Sequence, residues 1–209
     1  MNEAVFSTPQ EEFWASSFGD AYIERNRSEQ LLASNLVFFG EALRRASRIG
    51  SCVELGANIG MNLRALGLLY PGCALRGVEI NAKAHDQLAS LIGAENATHS
   101  SLLDWEPDKQ ADLSLVKGVL IHLDPEVLSK AYEKLYQATA KYILVAEYYN
   151  PSPVSVSYRG HDDRLYKRDF AGEMLDRYDD LTLVDYGFAY HRDKAFPQDD
   201  INWFLLRKN

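Results

Sequence analysis

A chain of 209 residues, 46% of them hydrophobic, can close one well-buried core and has little left for a second, so 1–209 reads as a single domain. Its formal net charge of −8 excludes a surface built to track nucleic-acid phosphates, which draws on lysine and arginine. A small-molecule partner fits this composition better, and oligomeric state is not legible in it.

Residues 1–14 lack the basic start and apolar run of a secretory signal, and no stretch approaches the ~18 uninterrupted apolar residues of a membrane span. A cytoplasmic protein without membrane contact is therefore expected. Cys52 and Cys73 sit in apolar runs without C-x-x-C spacing or a nearby His cluster, which predicts plain buried thiols and no metal site.

In chain order, 1–48 reads as a helical cover, with helical character over about 10–48. The stretch 49–149 alternates β-rich runs (51–56, 74–80, 97–103, 111–117 and 141–149) with helical periodicity over 60–70, 82–92 and 125–138. That alternation predicts an α/β fold with a parallel sheet and helices on both faces. The segment 150–168 is polar and aromatic with Pro151 and Pro153, and reads as a loop or lid. The remainder, 169–209, holds a helix over 169–178 and two strands, 181–190 and 202–207, whose loop at 191–201 lacks helical pattern; the strands are expected as an antiparallel pair closing the sheet. This layout resembles the Rossmann-like sheet of class I S-adenosylmethionine (SAM)-dependent methyltransferases.

The turn from first strand to first helix reads Val53-Glu54-Leu55-Gly56-Ala57-Asn58-Ile59-Gly60. Glycines let backbone approach a ligand, and the following helix offers unpaired amides. The stretch resembles the methyltransferase E/D-x-G-x-G-x-G loop. It departs at Asn58, one of the few residues that tolerate positive φ. A dinucleotide site is the competing reading, but its G-x-G-x-x-G spacing does not match Gly56 and Gly60.

Three further strand ends belong on the same rim, the carboxyl edge where open α/β sheets bind ligands. Glu79, followed by Ile80, can accept both ribose hydroxyls, or be a solvated strand-end acid. Ser101, Leu102 and Asp104 fall where methyltransferases hold adenine. Lys117 to Pro125 resembles the G-V-L-x-H-x-x-P stretch of small-molecule methyltransferases; there Lys117 and Val119 border the methionyl group, and His122 either faces the transferred methyl or merely packs.

Near the start, Phe13, Trp14, Phe18, Tyr22, Arg25 and Asn26 occupy adjoining helical turns. With Gly118–Pro125 and the stretch from Tyr158 to Phe170, they resemble the methylases associated with pseudaminic acid biosynthesis over nearly the whole chain. That resemblance implies SAM as cofactor and a nonulosonic acid or its precursor as acceptor. The first three aromatics are expected to pack on the core, Arg25 to pair with the cofactor carboxylate, Tyr22 to close over it, and Asn26 to assist.

For the acceptor, Tyr148, Tyr149, Tyr158, Arg159, His161, Arg164 and Arg168 supply aromatic faces and guanidinium forks suited to a polyhydroxylated or carboxylated molecule. The plainer alternative is a solvated charged loop. Candidate bases are His122, His161 and Glu147, imidazole being the side chain whose ordinary titration lies nearest neutral pH. A methyltransferase for another small metabolite, or a SAM-binding domain without catalysis, stays open at this level.

Overall fold

The computed structural model describes residue 6 and residues 8–23, 27–157 and 165–209. Helices α1 (Pro9–Ala15), α2 (Ser17–Ile23) and α3 (Glu29–Ala42) form the N-terminal part. Helix α1 starts at a reciprocal cap: the Thr8 hydroxyl accepts the Glu11 amide at 3.2 Å while the Glu11 carboxylate accepts the Thr8 amide at 2.8 Å. It ends where Ser16, its C-cap, donates its hydroxyl to the Phe13 carbonyl at 2.8 Å. The expected helical stretch is thus divided.

The core follows as β1 (Ser51–Leu55), α4 (Met61–Leu69), β2 (Ala74–Glu79), α5 (Ala82–Ile92), β3 (Ala97–His99), β4 (Ala111–Lys117), α6 (Leu128–Gln137) and β5 (Thr139–Glu147). Two short strands, β6 (Val154–Ser155) and β7 (Tyr166–Lys167), pair antiparallel, and then come α7 (Phe170–Arg177), β8 (Leu181–Ala189) and β9 (Ile201–Lys208). The main sheet has seven strands in the order β3-β2-β1-β4-β5-β9-β8. Its β3-to-β5 part is parallel; β9 runs antiparallel to both β5 and β8. The chain lays β8 at the edge first and fills the gap with β9 on its return.

Strands of this sheet are covered on both faces, so their apolar residues alternate between two cores. On β5, Ile143 and Val145 join one core, whereas Tyr142, Leu144 and Ala146 join the other. Helix α6 meets the first with Leu128, Ala131, Tyr132 and Leu135, the i, i+3, i+4, i+7 stripe of an amphipathic helix. Helices α3 and α4 meet the second with Phe38, Phe39, Leu63 and Leu66. Each such leucine contributes about 1.5–3 kcal/mol on burial.

Within 49–149, two boundaries differ from expectation by three residues or more. Strand β3 stops at His99 instead of 103, because Ser101 opens a turn in which its carbonyl accepts the Trp105 amide at 3.0 Å and its hydroxyl the Leu103 amide at 3.0 Å. The helix expected over 125–138 starts as a single 3-10 turn, Pro125–Val127, before α6. No helix among the described residues is long and apolar enough to cross a membrane.

Candidate functional site

A cavity of about 620 Å³ opens at the carboxyl edge of β1, β2 and β4, within the ~300–1,000 Å³ usual for small-molecule sites. Its floor is the β1–α4 loop. Gly56, Asn58 and Gly60 all take left-handed backbone, with φ of 74°, 48° and 84°. At Gly56 a Cβ would lie 2.6 Å from Val119 Cγ2, so the loop passes the β4 end as closely as a glycine permits. At Gly60 it would meet Leu91 and Leu88 of α5; this glycine serves helix packing and does not line the cavity.

Glu79 stands beside that loop, buried, with both carboxylate oxygens held: Oε2 accepts the Asn58 amide and Oε1 the Asn81 amide, each at 2.7 Å. Burial raises its pKa, and the amides of Asn81, Asn58 and Ile80 work against that rise. Glu79 and Ile80 line the cavity.

Ser101 and Leu102 line the wall beyond β3. The Ser101 hydroxyl donates a very short hydrogen bond to Glu11, tying α1 to the sheet. Asn81 ties the same cover by donating to the Asp20 carboxylate at 3.0 Å and to the Trp14 and Ser16 carbonyls at 3.4 Å. A Cβ on Gly19 would fall 2.0 Å from the Trp14 carbonyl, so glycine is required where α2 meets α1.

The opposite wall is 117–123. Gly118, with φ 67°, turns the chain out of β4 into the 3-10 turn Leu120–His122. Glu147 holds this turn from behind: its carboxylate accepts the amides of Val119 at 2.9 Å, Leu120 at 3.0 Å and Ile121 at 3.4 Å. Burial pushes Glu147 up to about 7 despite those amides. His122 lines the cavity with its ring 4.7 Å from Trp14, which in turn lies 5.3 Å from Tyr22.

Of the expected cofactor residues, Tyr22, Gly56, Asn58, Glu79, Ile80, Ser101, Leu102, Lys117 and Val119 line this one cavity. Glu54 lies beneath it, fully buried and pushed up to about 8 by desolvation. Asp104 is not brought there; it is exposed and faces Lys130 at 3.3 Å, because the turn after Ser101 carries it outward. Arg25 and Asn26 lie outside the described residues, as do Tyr158, Arg159, His161 and Arg164.

For the acceptor, Tyr148 lines the cavity, but two residues correct the expectation. Tyr149 turns outward, 38% exposed, against Phe204 at 5.8 Å. Arg168 is drawn to Glu173 at 2.6 Å and borders a separate cleft with Tyr132 and Arg177. Glu147, expected as a base, spends its carboxylate on the loop amides and does not line the cavity. Trp14, expected only to pack, lines it. Among the described residues no group of His, Cys, Asp or Glu is arranged to hold a metal ion.

Glu11, Asn35, Asn62, Asn81, Gln198 and Asp199 also line the cavity, and sequence reasoning does not single them out. Only Glu11 carries a local signal, the Thr8-x-x-Glu11 capping pattern. The others converge from distant parts of the chain.

No family model matches this sequence, and no curated protein matches it. Solved structures do. The 1,6-didemethyltoxoflavin N1-methyltransferase of Burkholderia thailandensis, with bound S-adenosylhomocysteine, is similar at a TM-score of 0.68 and 17% identity, over 99% of this chain and 93% of that one. Magnesium protoporphyrin IX methyltransferase from Synechocystis PCC 6803 gives 0.68 and 14%, over 95% and 97%. Mitomycin 7-O-methyltransferase gives 0.64 and 14% over 97% of this chain, which spans 61% of that protein's length. The fold is that of class I SAM-dependent methyltransferases.

Proposed function

We propose that this chain transfers a methyl group from SAM to a small, polar, sugar-acid or nucleotide-sugar-like acceptor, in surface-glycan biosynthesis of the pseudaminic acid type. The observation that carries the cofactor part is the Glu79 carboxylate, fixed by the Asn58 and Asn81 amides at the edge of the cavity beside the left-handed Gly56–Gly60 loop. A buried, pre-oriented carboxylate beside closely approaching backbone suits a vicinal diol, and the apolar Leu102 with Ser101 suits a flat heterocycle.

In this reading Gly56, Asn58, Glu79, Ile80, Ser101 and Leu102 hold the nucleoside, and Lys117 and Val119 border the methionyl end. Arg25 pairs with its carboxylate as a planar fork, with Tyr22 and Asn26 closing over it. The cofactor supplies an electrophilic methyl on a sulfonium sulfur. The protein's part is alignment: well-oriented reactants gain up to about 7–11 kcal/mol. Trp14 fixes the plane of His122 by ring contact, and Glu147 fixes the turn that carries it. In the same reading His122 takes a proton from an acceptor hydroxyl, while His161, Tyr158, Arg159 and Arg164 of the 150–168 segment bind the acceptor.

The sugar-acid element rests on the resemblance to the pseudaminic acid-associated methylases and on the polar side chains of the 148–168 region. The test incubates pure protein with methyl-labelled SAM and nonulosonic acids, nucleotide sugars and unrelated small acids. Label in a sugar acid or nucleotide sugar supports the reading; label only in unrelated metabolites removes the glycan assignment.

A further inference from the structure

The end of the cavity away from Glu79 holds a polar assembly to which the cofactor reading gives no task. Glu54 Oε1 accepts from Asn62 Nδ2 at 2.6 Å, Asn62 Oδ1 accepts from Asn35 Nδ2 at 3.0 Å, and Asn35 Oδ1 accepts from Gln198 Nε2 at 3.0 Å. This relay joins β1, α4, α3 and the β8–β9 connection, with Asn35 and Gln198 separated by 163 residues. Because the oxygen of Glu54 that faces Asn62 accepts, it sets the direction of each amide in turn. Asn62 and Asn35, both in the cavity lining, then have their carbonyls and one N–H engaged, and each retains a second N–H.

Lys117, which the cofactor reading sets at the border of the methionyl end, reaches the same wall from the end of β4. Its ammonium sits over the Phe38 ring, 5.5 Å from the centroid, and makes no ion pair with any described residue. Burial pulls its pKa down, while Asp199, Glu54 and Glu147 attract it from longer range. Half-buried in the cavity wall and without a contact anion, this ammonium offers charge-assisted hydrogen bonds to an anion that enters. Asp199, at the outer side, adds an acceptor for hydroxyls.

The place across the sheet separates this end from the nucleoside end. Glu79 closes β2, whereas Gln198 precedes β9, two strands past β4 on the side away from β2. Resting on the methyl-transfer reading, we propose that Lys117 with the second N–H groups of Asn35, Asn62 and Gln198 is the acceptor's anchor, taking a carboxylate of the acceptor while Asp199 takes neighbouring hydroxyls. The acceptor class is then a hydroxylated acid bound through its carboxylate.

The test titrates protein saturated with S-adenosylhomocysteine with two acid/neutral pairs, N-acetylneuraminate against its methyl ester and 3-hydroxybenzoate against 3-hydroxybenzamide. In at least one pair the acid binds about tenfold or more tightly than its neutral partner, as expected of charge-assisted hydrogen bonds. In Lys117→Met that ratio falls toward one, and in Gln198→Ala, which keeps the charge, it falls part of the way. Equal binding, or no binding, of acid and neutral partner in both pairs overturns the inference. So does a ratio unchanged in both variants, including the case in which Lys117→Met loses only S-adenosylhomocysteine affinity, which assigns the ammonium to the cofactor. Preference confined to the benzoate pair supports the anchor and removes the sugar from the proposed acceptor. Failure of wild type to bind S-adenosylhomocysteine fells the methyl-transfer reading itself, and the inference with it.

Discussion

The backbone amide of Asn58 donates to Glu79 Oε2 at 2.7 Å, a side-chain lock added to the two bonds by which the Gly56 and Ala57 amides reach the Val78 carbonyl, so the loop after β1 is fixed to the end of β2 where the cavity begins. Glu79→Ala removes that lock and a carboxylate from the wall together. SAM binding weakens by about 1–3 kcal/mol, the cost of unmaking hydrogen bonds to a charged group. Calorimetry checks it; unchanged affinity removes Glu79 from the site.

Two glycines with nearly the same backbone separate strain from function. Gly56 (φ 74°) leaves no room for a side chain beside Val119, whereas a Cβ on Gly72 (φ 84°) would have nothing within 4 Å. Gly72→Ala costs only the left-handed strain, about 1–2 kcal/mol of stability, and leaves SAM affinity intact. Gly56→Val adds a clash inside the loop, so a folded variant binds SAM far more weakly. Normal affinity in that variant refutes the loop assignment.

Stability should respond to pH through Glu54. Desolvation pushes its folded-state pKa up to about 8 from 4.5, with Asn62, Lys117 and Glu79 as the neighbours that modify it. A raised acid keeps its proton in the folded state, so its contribution is fully present below about pH 4.5 and is lost as pH rises through about 8. Glu54→Gln retains a carbonyl for Asn62 and abolishes the titration. Between pH 5 and pH 9 it gains roughly 4 kcal/mol on wild type, read from urea midpoints; parallel behaviour of the two proteins contradicts this.

His122 and His191 both line the cavity, and of the two His122 is the candidate base, at ring contact with Trp14. His122→Ala lowers single-turnover methyl transfer to a hydroxyl acceptor by roughly 100-fold or more, the ordinary scale of general base catalysis, with little change in SAM affinity. An acceptor that is already a nucleophile at neutral pH shows a much smaller loss. Equal loss of SAM binding and turnover instead makes His122 part of the cofactor wall.

The sheet and the rim of the cavity are legible in the sequence because both are written locally. Alternating apolar runs mark the strands, and Gly56, Asn58 and Glu79 stand in a fixed relation to strand ends. Where side chains choose among distant partners, local reading fails: Asp104 faces Lys130, and Glu147 turns to the amides of 119–121; Arg168 goes instead to Glu173 five residues on, across the start of α7. The Glu54–Asn62–Asn35–Gln198 relay has no local signal at all, since its members meet only after α3 and the β8–β9 connection are folded against α4.

The central claim is methyl transfer from SAM, and the most direct measurement incubates the protein with methyl-labelled SAM and a small-molecule extract, then resolves products by charge and mass. The account predicts label in a small, polar, acidic product, and, at SAM below saturation, a fall of roughly 5- to 150-fold when Glu79→Ala replaces wild type. Tight SAM binding with label transferred to no small molecule would contradict it.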